Sequence, residues 1–170
     1  MGHPLSIEEL NSVNPEKIFD LKFVLNHSLW KKFSLPVTLP SPLRLQFDEN
    51  IRSSLGTIKR KKGIYIFFIE PNFPISPNIY YPIYIGRVMK ENTFFKRFNE
   101  YVKAIGNQNI KRNRQLMANA WPDNTFVYFY ELANDVEIEE TEKQLIDFII
   151  PPLNNQFYIE EAKNTRSLYN

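Results

Sequence analysis

Two short stretches, Gly63-Ile64-Tyr65-Ile66-Phe67-Phe68-Ile69 and Ile83-Tyr84-Ile85-Gly86, decide how this chain folds. The first is an unbroken apolar run of strand length. It lies between the basic cluster Lys59–Lys62 and the prolines Pro71, Pro74 and Pro77, as a buried strand running into a loop should. The second is equally rich in β-formers, and with a connection of roughly 13 residues the simplest pairing of the two is antiparallel. Glycine is scarce, five in 170 residues against an average of about 7%, so Gly63 and Gly86 are expected where the backbone needs them.

Working outward, Thr93 can N-cap a helix whose Phe94, Phe95, Phe98, Tyr101, Val102 and Ile105 form one apolar stripe. Thr125–Leu132 reads as a third strand, and Asn134 or Asp135 caps a helix that Pro151 and Pro152 stop near Ile149. The order strand, strand, helix, strand, helix predicts an α+β fold: a small three-stranded antiparallel sheet flanked by helices. On the N-terminal side, Asn14-Pro15 opens a helix carrying Ile18, Leu21, Leu25 and Leu29 up to Trp30. Leu35–Leu43, with Pro36, Pro40 and Pro42, reads as a rigid extended connector, and Asn50–Ile58 as one more helix. Residues 1–60 are thus expected to form a mostly helical extension and residues 61–170 the main domain.

Composition narrows the function. With 43% hydrophobic and 15% aromatic residues the chain can bury a core, and no stretch approaches the roughly 20 apolar residues of a membrane helix. Residues 1–10 lack the basic-then-apolar pattern of a secretory signal. The chain has no cysteine, which excludes disulfides, thiolate metal sites and cysteine nucleophiles, and the expected setting is cytoplasmic. Its two histidines, His3 and His27, stand far from the segments above, which argues against a histidine metal site or a Ser-His-Asp triad. Net charge is only +2 but unevenly spread: Arg87–Arg114 holds eight basic and two acidic residues, Glu131–Glu161 nine acidic and one basic. A basic surface for a polyanion beside carboxylates for a cation suits a phosphodiester; two solvated faces pairing with each other fit the same pattern.

In the last predicted helix, Glu142 falls in the middle of the apolar stripe of Ile138, Leu145, Ile146 and Ile149. A carboxylate buried there needs a cation or an arginine to offset the cost, so the position fits metal ligation or catalysis, a structural ion pair, or a frayed, exposed helix start. On the earlier helix, Arg97 and Tyr101 are four apart and flank the phenylalanine stripe, where a guanidinium can grip two phosphate oxygens or simply cover Phe94 and Phe98. The basic, amide-rich run Asn107–Trp121 offers Lys111, Arg112 and Arg114 as phosphate contacts.

Gly63-Ile64-Tyr65, then Tyr84-Ile85-Gly86-Arg87, a helix with Arg97, and Glu142 opening Glu-x-x-Leu-Ile-x-x-x-x-Pro-x-x-Asn to Asn154 together resemble the GIY-YIG nuclease family. The resemblance spans residues 63–157, about 95 of the 170, and says nothing about residues 1–60. It implies a metal-dependent DNA endonuclease acting on double-stranded or branched DNA with Mg²⁺ or Mn²⁺, and a homodimer is one expected assembly. It also implies that Glu142 ligates the metal, Tyr65 serves as base or proton relay, Arg97 stabilises developing charge, Tyr84 orients water and phosphate, and Asn154 orders the site. Tyr101 stands where several relatives carry histidine and others tyrosine. The connection Pro71–Pro82 is long for the family and fits a lid or a DNA-contacting loop. Arg87 and Lys90 are candidates for its auxiliary basic residue, with Gly86 and Lys96 as further nucleic-acid contacts. An unperturbed phenol titrates near 10, so a basic Tyr65 needs positive charge close by. The alternative is a module that keeps the fold and binds nucleic acid with little or no turnover.

Overall fold

The computed structural model describes residues 21–71, 79–107 and 111–168. In chain order these form α1 (His27–Lys31), β1 (Leu43–Gln46), α2 (Ile51–Ser54) with a 3₁₀ turn at Gly56–Arg60, β2 (Gly63–Ile69) and β3 (Tyr81–Val88). They continue with α3 (Phe94–Val102), α4 (Arg112–Asn119), β4 (Thr125–Glu131), α5 (Asp135–Ile149) and α6 (Glu160–Ser167).

The fold is α+β as expected, but the sheet has four antiparallel strands in the order β1-β4-β2-β3 rather than three. The added strand is β1, where the proline-rich connector ends and Leu43 and Leu45 alternate with Arg44 and Gln46. At four residues the alternation is too short to stand out from sequence, and it is pairing with Phe126–Phe129 of β4 that makes it a strand. Phe47, Ile51 and Leu55 behind it join the main core, so this part of the expected helical extension contributes to the sheet and its packing.

One other expectation changes at the N-terminal side. Residues 21–26 are not helical; the helix begins at His27, where the Asn26 side chain accepts from Leu29 N and caps it. The Asn14-Pro15 start, residues 72–78 of the long connection and residues 108–110 of the basic run lie outside the described residues. The later signals hold: Thr93 accepts from Lys96 N at the start of α3, and Asn134 from Val136 N at the start of α5.

Strand β2 is central and buried on both faces, which is why GIYIFFI shows no polar alternation. Tyr65 and Phe67 point into one cluster with Phe94, Phe98 and Tyr101 of α3 and Leu116 and Met117 of α4. Ile64 and Ile66 point into the other, against Ile138, Leu145 and Ile146 of α5. A bulge in the β2–β3 register pairs Phe67 with Tyr84 and Phe68 with Pro82, leaving Ile83 unpaired. Ile83 and Tyr84 therefore both pack on the α3 side, an alternation break that aims Tyr84 along with Tyr65.

Strand β3 is an edge, and the chain covers it. After α5, Ile150 takes a left-handed conformation (φ 51°), a strained choice for a β-branched residue. That turn brings Leu153 N to Ile83 O at 3.0 Å. Asn154 Oδ1 accepts from Ile85 N at 2.9 Å, and its Nδ2 donates to Ile85 O at 2.8 Å. Its carboxamide thus stands in for a neighbouring strand.

Candidate active site

A cleft of about 420 Å³ opens over the β3 edge, so side chains from both faces of the sheet reach it. Tyr65, Tyr84, Arg97 and Tyr101 enter from the α3 side, Arg87 and Glu142 from the α5 side, and Asn154 closes the edge between them. The cross-strand pair Tyr65↔Gly86 explains how a central-strand tyrosine gets there. A Cβ on Gly86 would overlap Cζ and Oη of Tyr65 and lie 2.8 Å from its Cε2, so the phenol crosses β3 only because residue 86 has no side chain. The space over Gly86 is filled by Tyr65, and is not open to a phosphate. Gly63 answers a different need: its φ of +144° and the nearness of Leu132 N (2.9 Å) bar a Cβ there.

Tyr65 is 1% exposed and packs edge-on against Phe98 (5.2 Å), with its hydroxyl 3.0 Å from that of Tyr101. Burial pushes the Tyr65 phenol well above its ordinary pKa, Tyr101 and Tyr84 add to the rise, and Arg97 opposes it with less effect. The positive charge that a basic Tyr65 would need is present in Arg97 but is outweighed by desolvation, and Tyr65 rests protonated. Arg97 is half-buried; its Nε is buried with no hydrogen-bond partner among the described residues, and one terminal nitrogen lies 3.2 Å from Glu100. A guanidinium with an unpartnered buried N–H beside a polar cleft is suited to an anion.

Glu142 is 9% exposed among apolar neighbours, and one of its oxygens accepts from Arg87 at 2.7 Å. Arg87 also lies 3.6 Å from Glu139, one turn earlier on α5. Burial raises the Glu142 pKa to about 7, with Arg87 opposing and Glu139 reinforcing the rise. The ion-pair reading is thus realised in this structure, and it does not use the second carboxylate oxygen, to which no described residue donates. Among the described residues no three carboxylate or imidazole groups gather as a metal site. Mg²⁺ keeps most of its waters and takes one or two carboxylates plus substrate phosphates, so a lone carboxylate facing a wet cleft fits it once Arg87 shares or yields its oxygen.

Of the expected nucleic-acid contacts, Arg87, Lys111 and Arg114 line the cleft, and the Arg114 guanidinium stands 6.0 Å from the Tyr101 ring centre. Arg112 is exposed on α4 and does not line it. Lys96 turns back to donate to Glu91 O at 3.1 Å. Lys90 (φ 59°) bonds Asp135 through its backbone N and borders a separate depression with Arg60–Lys62. Sequence reasoning missed Asn113, which donates to Leu153 O at 2.8 Å, and also Asn155, Gln156 and Tyr158 at the rim. For the last three the only signal was a polar run after two prolines, in a stretch whose path depends on the left-handed turn at Ile150.

No family model matches the chain, and no curated protein or solved structure matches it. The likeness to the GIY-YIG family therefore rests on the residues themselves. No helix among the described residues is long and apolar enough to cross a membrane.

Proposed function

We propose that the chain is a divalent-metal-dependent DNA endonuclease of the GIY-YIG type, hydrolysing phosphodiester bonds in the cleft at the β3 edge. The observation that carries this reading is the convergence there of Tyr65, Tyr84, Arg97, Glu142 and Asn154, which are scattered over 90 residues of sequence. Arg97 takes the non-bridging oxygens of the scissile phosphate and offsets the charge that builds on them. The Tyr65–Tyr101 hydroxyl pair, in which burial keeps both phenols protonated at rest, is suited to relaying the proton of the attacking water: Tyr65 takes it as its own proton passes to Tyr101 and that of Tyr101 passes to solvent in the cleft. Tyr84, at the bulge, orients water and phosphate. Asn154 keeps β3 in place, so that Tyr84 and Arg87 stay on opposite faces. Held by Glu142, Mg²⁺ would supply Lewis-acid stabilisation of the leaving oxygen.

A second reading, a DNA-binding module without turnover, is favoured by one observation: Arg87 already occupies an oxygen of Glu142. Plasmid incubated with Mg²⁺ or Mn²⁺ beside Glu142→Ala and Arg97→Ala separates the two. Wild-type cleavage no greater than that of both variants contradicts the endonuclease reading, and metal-independent, salt-sensitive binding without nicking supports the module.

A further inference from the structure

Beyond the cleft lies a second depression of about 400 Å³, between residues 154–157 and α6. Asn154, Asn155 and Gln156 line both, so the two are separated by this segment as a shared ridge. The ridge is fixed: Asn154 bonds Ile85 twice, Leu153 bonds Ile83, and Asn113 bonds Leu153. On its far side stand Lys163 and Arg166, with no carboxylate in the lining. Arg166 is held ready by Pro152 O at 3.1 Å and Lys22 O at 3.4 Å, which leaves further guanidinium N–H groups for an anion. Lys163 pairs with Glu160 at 3.7 Å, an exposed contact of little energy that a phosphate displaces easily, and it also lies within electrostatic reach of the Asp147 carboxylate. The depression beside Lys90 differs, because Glu91 and Glu131 line it and Lys61 is paired to Glu131 at 2.7 Å.

We propose that this second depression is a subsite for the nucleotide next to the scissile phosphate, with Lys163 and Arg166 on its phosphate and the Gln156 carboxamide on its sugar or base edge. This rests on the endonuclease reading and extends it by one nucleotide. A strand crossing the shared ridge meets polar groups on both sides, and the ridge amides offer donors and acceptors to a nucleotide leaving the cleft.

The test is fluorescence anisotropy of a labelled DNA duplex in EDTA, titrated between about 50 and 200 mM salt. Lys163→Glu should weaken binding about tenfold at low salt and flatten the salt slope by about one, as loss of one phosphate contact does. Gln156→Ala should weaken it about threefold with the slope unchanged. Lys59→Glu, an exposed lysine outside both depressions, serves as the control. Lys163→Glu binding no worse than the control, with an unaltered slope, overturns the subsite. Wild-type protein that binds no duplex overturns the endonuclease reading and the subsite together, whereas a wild type that binds and cuts but is indifferent to Lys163→Glu overturns the subsite alone.

Discussion

Adding one methyl group at Gly86 tests how this site is built. The backbone of residue 86 lies outside the left-handed region, so Gly86→Ala introduces no dihedral strain; its whole effect falls on the Tyr65 ring. That ring cannot simply retreat, with Phe98 at 5.2 Å, Tyr101 at 5.9 Å and Phe67 at 6.1 Å around it. Overpacking of this kind costs about 1–3 kcal/mol, a Tm loss of several degrees for a chain of this length. The hydroxyl must move by about an ångström, and a misplacement of that size can cost about 10²-fold in rate. Single-turnover cleavage of a labelled duplex should therefore fall about 10²-fold in a variant that still unfolds cooperatively. In a Tyr65→Phe background, where the hydroxyl is already gone, the same alanine should cost less than about threefold. Wild-type activity in Gly86→Ala, or an equal loss in both backgrounds, would refute the claim that Gly86 exists to let Tyr65 through.

With its carboxyl raised to about pH 7 by burial, Glu142 should make cleavage at subsaturating Mg²⁺ fall about tenfold per pH unit below 7 and level off above it. The same shift makes the folded chain hold this proton more tightly than the unfolded one. Its share of stability is thus full below the ordinary carboxyl range and lost as pH rises through about 7, a slope that Glu142→Gln should remove in denaturant titrations. Arg87→Ala should tighten Mn²⁺ binding about tenfold by calorimetry, since the competing cation 2.7 Å from Glu142 is gone, and should lower stability by about 1–3 kcal/mol. Asn154→Asp loses the donor to Ile85 O and buries a charge, so unfolding should show a loss of about 1–3 kcal/mol and cleavage should drop with it.

What could be read from sequence was what local chemistry fixes. The buried run at residues 63–69, the Thr93 and Asn134 caps and the proline stop after α5 are all visible in consecutive residues. So was Glu142, because a carboxylate in an apolar stripe stands out. Hidden were features that exist only through pairing: β1, too short to show its period, and the bulge at Ile83, a property of two strands together. The role of Gly86 was visible as a need but not as a cause, since what fills its empty side lies 21 residues away at Tyr65. The Tyr65 pKa followed the same rule: sequence showed only that a basic phenol would need positive charge close by, and tertiary burial raises it instead.

The central claim is that Glu142 holds a cation beside a phosphodiester that Arg97 and the tyrosines position. Its most direct test is the single-turnover cleavage rate of saturating labelled DNA as a function of Mg²⁺, for wild type and Glu142→Gln, with DNA affinity in EDTA measured for both. The account predicts a rate that saturates with Mg²⁺ in the wild type and falls at least about 10³-fold in the variant, at similar affinity. Equal rates in the two proteins, or cleavage that ignores the metal, would contradict it.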